Sequence, residues 1–145
     1  MKEAFQKDLI RGSKAEYYIL NQVKERYPNA RKIEGYFKEY DIIVPEVNKT
    51  IEVKFDEMSL TTGNLVVEIE FDGKPSALST TKTDYWVFVS SKFDIWIRPE
   101  TIRYCIEKYN IPLRSFIGDG DDKEKKAYLV PTWIIKQNCI KQKSK

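Results

Sequence analysis

Asp41, Glu52 and Lys54 stand inside two adjacent apolar segments of the stretch YDIIVPEVNKTIEVKF, where unpaired charge is costly to bury. Read as strands, Glu52 and Lys54 share one face, and Ile51, Val53 and Phe55 share the other. A hairpin register that sets Asp41 opposite Lys54 brings Glu52 diagonal to it; a slip of one residue sends Asp41 to the far face. Two carboxylates at close range repel, and a divalent cation between them removes that penalty. An ammonium group beside them can orient a water or stabilise negative charge in a transition state. This is the chemistry of metal-dependent phosphodiester hydrolysis. The plain alternative is a cross-strand salt bridge on an open sheet face.

Composition narrows the chemistry further. The chain has 145 residues and no histidine, which removes Ser-His and Cys-His nucleophile pairs and argues against zinc. Acid–base or metal chemistry must rest on Asp, Glu, Lys and Tyr, and carboxylate-rich sites suit Mg2+ or Mn2+. Cys105 and Cys139 have no CxxC spacing and read as reduced thiols. The 25 basic and 22 acidic residues give a net charge of +3, which permits a nucleic-acid partner if the bases are segregated on one face. Nine tyrosines and three tryptophans can stack on bases or simply pack. Hydrophobic residues at 41% and charged residues at 32% describe one soluble globular domain over residues 1–145. No apolar run approaches the roughly 20 residues of a membrane helix. The polar start MKEAFQKDLIRG is unlike a signal peptide, so a cytoplasmic location is expected.

The elements that must position these residues follow from periodicity. Ser13 to Tyr27 reads as a helix, with Glu16, Leu20, Val23 and Tyr27 on one stripe and Pro28-Asn29 as its stop. Strands are expected at Ile33–Phe37, Tyr40–Val44, Thr50–Phe55, Asn64–Phe71, Tyr85–Val89 and Phe93–Ile97, with a turn around Glu46–Lys49. A second helix starts at Pro99 and carries Ile102, Ile106 and Tyr109. Gly118–Lys126 reads as a charged loop and Tyr128–Val130 as a short strand, before a flexible lysine-rich tail at about 139–145. The order predicts an α/β fold with one central mixed sheet flanked by helices.

The pattern Asp41, ten intervening residues, then Glu52-Val53-Lys54 resembles the core of the PD-(D/E)xK nuclease superfamily, which includes restriction endonucleases, archaeal Holliday-junction resolvases and phage exonucleases. Arg11-Gly12-Ser13-Lys14-Ala15-Glu16 is similar to the G-x-x-A/G-E pattern by which an upstream helix supplies a further acid. GKPSALSTTKTDYWVFV, DIWIRPETI and GDGDDKEKKAYLVP resemble later parts of the phage and bacterial branch, so the likeness covers most of the chain. Tyr40 departs from it, standing where the name motif has proline. The resemblance implies a restriction-endonuclease-like core and a Mg2+- or Mn2+-dependent deoxyribonuclease acting in recombination, repair or phage DNA processing. It implies that Asp41, Glu52, the Val53 carbonyl and Glu16 hold metal, with Lys54 completing the catalytic set and 5′-phosphate ends as product. For a viral chain the compartment would be the host cytoplasm. Assembly into a homo-oligomer and the choice of DNA substrate are left open. The alternative function is a catalytically inactive nucleic-acid-binding module with the same fold.

Several residues carry two readings. Ser13-x-x-Glu16 is also a helix capping box. Glu68 and Glu70 read as a solvated strand face, with a minor role for one of them beside the site. Lys74, Ser76, Thr80, Thr81 and Lys82 form either a surface turn or a phosphate contact at a helix start. Asp84 reads as a turn anchor.

Overall fold

In a computed structural model, residues 2–35, 39–117 and 122–145 are described, with side chains from residue 11 onward. The first helix, α1, spans Lys2–Arg26 rather than starting at Ser13. Residues 2–11 are mostly good helix formers, so the helix runs through Gly12. Ser13 is therefore mid-helix and cannot cap, which removes the capping-box reading of Glu16.

A short strand β1 (Arg31–Lys32) leads to β2 (Ile42–Val44), a single 3-10 turn over Pro45–Val47, and β3 (Lys49–Phe55). Asn48 closes the hairpin at φ 52°, a left-handed conformation that Asn tolerates. Of the strand expected at Ile33–Phe37, Tyr36 and Phe37 lie outside the described residues, and Ile33 follows β1. The chain continues through α2 (Ser59–Thr62), β4 (Asn64–Phe71), β5 (Lys74–Pro75), a 3-10 turn over Ala77–Ser79, β6 (Tyr85–Val89) and β7 (Phe93–Ile97). Then come α3 (Pro99–Lys108), β8 (Leu113–Ile117), β9 (Glu124–Pro131), α4 (Thr132–Asn138) and β10 (Lys141–Ser144).

The fold is mixed α/β, but with two sheets instead of one. Six strands run in the order β1-β2-β3-β6-β7-β10, and four run β5-β4-β9-β8. In the larger sheet β3 and β6 are parallel and the remaining neighbours antiparallel, so the central sheet is mixed as expected. β4 alternates as expected up to a bulge between Glu68 and Glu70, and it pairs with β9 on one side and β5 on the other. Glu124–Lys126, expected in a loop, belong to β9, where Lys125 and Lys126 pair with Glu68 and Glu70 at 3.8 and 3.4 Å. Cross-strand charge pairing lets a charged segment extend a sheet. Gly118–Asp121 of that expected loop lie outside the described residues.

Two apolar layers flank the larger sheet. On one face Ala15, Ile19 and Leu20 of α1 pack on Ile42, Val44, Ile51, Val87 and Val89. On the other, Trp86, Phe88, Ile95 and Ile97 meet Leu65, Val67 and Val130 of the smaller sheet, with α3 and α4 closing the layer. Among the described residues no helix is long and apolar enough to cross a membrane.

The tail at 139–145, expected to be flexible, is instead strand β10, paired with β7 from Lys141↔Trp96 to Ser144↔Phe93. Backbone bonds, the Cys139 side chain packed on the apolar layer and one buried ion pair hold it. Lys145 Nζ lies 2.8 Å from Oδ1 of Asp94, which is 1% exposed, and donates to the Ser90 carbonyl at 2.9 Å. Tyr18 Oη donates to Oδ2 of the same aspartate at 2.7 Å. Burial first, then this hydrogen bond, push the Tyr18 hydroxyl up from its ordinary pKa.

Candidate active site at the β2–β3 fork

The hairpin register pairs Ile42 with Ile51, which sets Asp41 level with Glu52 rather than with Lys54 as expected. The parity is the same, so Asp41 and Glu52 share the sheet side opposite Ile42 and Ile51. β2 leaves β3 at this point. The Asp41 N–H donates to the Ile51 carbonyl at 3.0 Å, and the next bond of the ladder is made by a side chain. Asp41 Oδ2 accepts the Val53 N–H at 2.7 Å. A strand residue sends both backbone groups to the same side, so the Val53 carbonyl also faces the fork. Asp41 is 5% exposed, held there by the ladder above it and by the Ile33 N–H on its carbonyl at 2.8 Å.

Glu52 and Lys54 project from the next two positions on that side. Through the parallel register they neighbour Trp86 and Phe88 of β6. Lys54 Nζ stands 3.9 Å from Glu52 Oε2 and 4.9 Å from the centre of the Trp86 ring. The ring face attracts the ammonium and, with Glu52, confines it. Both side chains line an open polar cavity of about 410 Å³, whose other walls are Glu39, Glu68, Ala77, Thr80, Thr81 and Lys82.

The facing wall is fixed by β4 and the turn after it. β4 carries a bulge between Glu68 and Glu70. The Ile69 carbonyl at that bulge accepts the Ser76 N–H and the Ser79 hydroxyl at 2.9 and 2.7 Å, folding the turn back onto the strand. Thr81 Oγ1 accepts the Trp86 indole N–H at 3.2 Å and shares a hydrogen bond with Thr83 at 2.8 Å. Asp56, just past β3, accepts the Ser59 and Val66 N–H groups at 3.1 and 2.9 Å and so ties the start of β4 to the end of β3. Burial pushes the Asp56 carboxyl above its ordinary pKa, although these two bonds oppose the shift.

The expected site residues divide clearly. Asp41 is bonded to the Val53 N–H and level with Glu52 on one side of the sheet, with Lys54 the next residue on that side; Glu52 and Lys54 line the cavity with Thr81 and Lys82 opposite, and Asp41 is not among its lining residues. Lys74 is exposed on β5, and Ser76 donates to Glu68 at 2.7 Å; neither lines the cavity. The helix start expected beside them is one 3-10 turn, too short to present an anion site at its end. Glu16 lies on α1, across the sheet, where Lys32 Nζ is 3.7 Å from its carboxylate. Among the described residues no three acid or cysteine side chains gather closely enough to hold a metal ion, so Glu16, Asp41 and Glu52 do not form one cluster. Asp84 anchors a turn as expected, accepting the Thr50 N–H at 2.9 Å. Glu39 was not anticipated, and Glu68 only as a minor reading; β4 alternation places Glu68 on a solvent face, and only the bulge and the second sheet bring it to the cavity.

The oxygen atoms at the fork, two carboxylates and a main-chain carbonyl, are the donor set that hard divalent cations take. Among the described residues Glu39, Glu52 and Glu68 line the cavity with Lys54 and Lys82, and Lys125 Nζ lies 3.8 Å from Glu68, so acidic and basic groups are nearly balanced there. Compared with family models, curated proteins and solved structures, the chain matches none.

Proposed function

We propose that the chain is a Mg2+- or Mn2+-dependent deoxyribonuclease on a restriction-endonuclease-like scaffold, with DNA as its partner. The observation that carries this reading is the Asp41 carboxylate locked on the Val53 N–H at 2.7 Å, level with Glu52 and one position from Lys54. The parallel β3–β6 centre of the sheet and the helix packed on its far face suit that scaffold.

Asp41, Glu52 and the Val53 carbonyl are the groups that would hold the ion. When bound, the ion supplies a polarised phosphate and a water of lowered pKa. Lys54 orients the attacking water and stabilises charge developing on the phosphate oxygens. Thr80, Thr81 and Lys82, on the facing wall, receive the DNA backbone. Glu16 acts at most through Lys32 and is not a direct ligand. A cytoplasmic setting accords with this reading.

A second reading, a nucleic-acid-binding module without turnover, draws on the Glu52–Lys54 contact at 3.9 Å, which already gives Glu52 a partner. One experiment separates the two. The protein and its Glu52→Gln variant are incubated with linear duplex, circular single strand, flap and four-way-junction DNA, in Mg2+, Mn2+ or EDTA. Cleavage by the parent in either metal, and none by the variant, is expected. Binding without cleavage in Mn2+ favours the module. Neither binding nor cleavage overturns both.

A further inference from the structure

Across the larger sheet from the fork, α1 and the sheet leave a second cavity of about 480 Å³. Its floor is the buried Val44 and Ile51, and its walls include the rings of Tyr27, Tyr85 and Trp96. Volume and lining are those of a small-molecule site, mostly apolar with few polar groups. Its charge is one-sided. Arg26, Lys49 and Lys141 line it, and among the described residues no Asp or Glu does. Two of the three are drawn to its rings: Arg26 stands 5.4 Å from the Tyr27 centroid, and Lys141 5.0 Å from that of Trp96. Among the described residues none of the three is in a salt bridge, in a chain where Lys32, Lys54, Lys125, Lys126 and Lys145 all are.

We infer that this cavity binds a small organic anion with an apolar, ring-sized body and a carboxylate or sulfonate head. The body lies against Trp96, Tyr85 and the aliphatic floor, and the head meets the rim of Arg26, Lys49 and Lys141. Apolar burial supplies most of the affinity, and the cations select the charge.

Anilinonaphthalene sulfonate is the probe, with near-UV circular dichroism showing that the protein stays native. One molecule is expected to bind saturably and to be displaced by naphthoate. Naphthalenemethanol, of similar shape but uncharged, should compete about tenfold less well or worse. The three cations are exposed, so Arg26→Ala/Lys49→Ala/Lys141→Ala should fold normally and bind about thirtyfold more weakly, about threefold for each charge. Val47 lines the cavity and is 40% exposed, so Val47→Trp fills the opening without disturbing the core and should abolish binding. The Glu52→Gln variant, altered on the opposite face, should bind like the parent whatever becomes of nuclease activity. Absence of saturable binding, equal competition by the uncharged analogue, or full binding to Val47→Trp overturns the inference.

Discussion

The Asp41 carboxylate does the work of a missing strand residue: it accepts the Val53 N–H at 2.7 Å where β2 has already parted from β3. One group thus serves the ladder and the candidate site. Asn at this position keeps an oxygen for the Val53 N–H but loses the charge. Asp41→Asn should remain folded, with a melting temperature in EDTA equal to or above the parent's, and should lose cleavage. Asp41→Ala leaves a buried N–H without its acceptor and should cost about 1–3 kcal/mol. Thermal melts of both variants beside a cleavage assay check this; equal stability of Asn and Ala variants would count against the dual role.

Lys54 separates an enzyme from a binding site. An ammonium group offers no ligand to a cation, so Lys54→Ala should leave Mn2+ binding intact or stronger. Its partly exposed contacts with Glu52 and Trp86 should cost no more than about 0.2–1 kcal/mol of stability. Turnover should drop by about two orders of magnitude or more. Calorimetric titration with Mn2+ and cleavage rates on one preparation read both effects. Loss of metal binding with cleavage retained would refute the role.

The two acids at the end of β3 should titrate on opposite sides of the ordinary range. Burial raises Asp56; the Ser91 N–H, donated to Glu57 at 2.7 Å, lowers Glu57. The Glu57 contribution to stability is present above its unfolded pKa and lost as pH falls through its lower folded value. The Asp56 contribution has the reverse sign: its charge penalises the fold above the raised folded pKa, and acidification toward the unfolded value relieves that penalty. Carboxyl-carbon NMR titration should place Asp56 above, and Glu57 below, the ordinary value for its residue type. Asp56→Asn should nonetheless destabilise by about 1–3 kcal/mol, because one amide oxygen cannot serve both N–H groups.

Lys145→Ala should be the most damaging change in the C-terminal segment. It strands the buried Asp94, whose Oδ1 has an ion pair but no hydrogen bond. Loss of a buried ion-pair partner costs about 3–5 kcal/mol, less here because Lys145 is partly exposed. Lys145→Ala/Asp94→Asn should recover part of that loss. Urea denaturation measures all three proteins, and a double variant no better than the single would deny the coupling.

Periodicity carried much of this fold. The bounds of β4, β6 and β7 were legible because each is an uninterrupted apolar or alternating run. The common side of Asp41 and Glu52 was legible from parity, while their level depended on the Asn48 turn and came out two residues different. β8 and β10 were not legible: LRSFI is largely exposed, and KQKS has no apolar residue. Backbone pairing and one distant aspartate define them. The cavity wall was half legible. Thr81 and Lys82 stood out as a polar, basic cluster, whereas Glu68 reaches the cavity through a bulge and a sheet that local pattern does not encode.

The outer strands of the larger sheet have a consequence for self-association. A long, flat, apolar edge is a template on which a second chain can add strands and seed aggregates. Here one edge is β1, only two residues long, and the other is β10, which carries Lys141 and Lys143. A short edge offers little to copy, and a lysine-lined edge repels its own image. Continuation of the larger sheet by a second chain is therefore disfavoured at both of its edges.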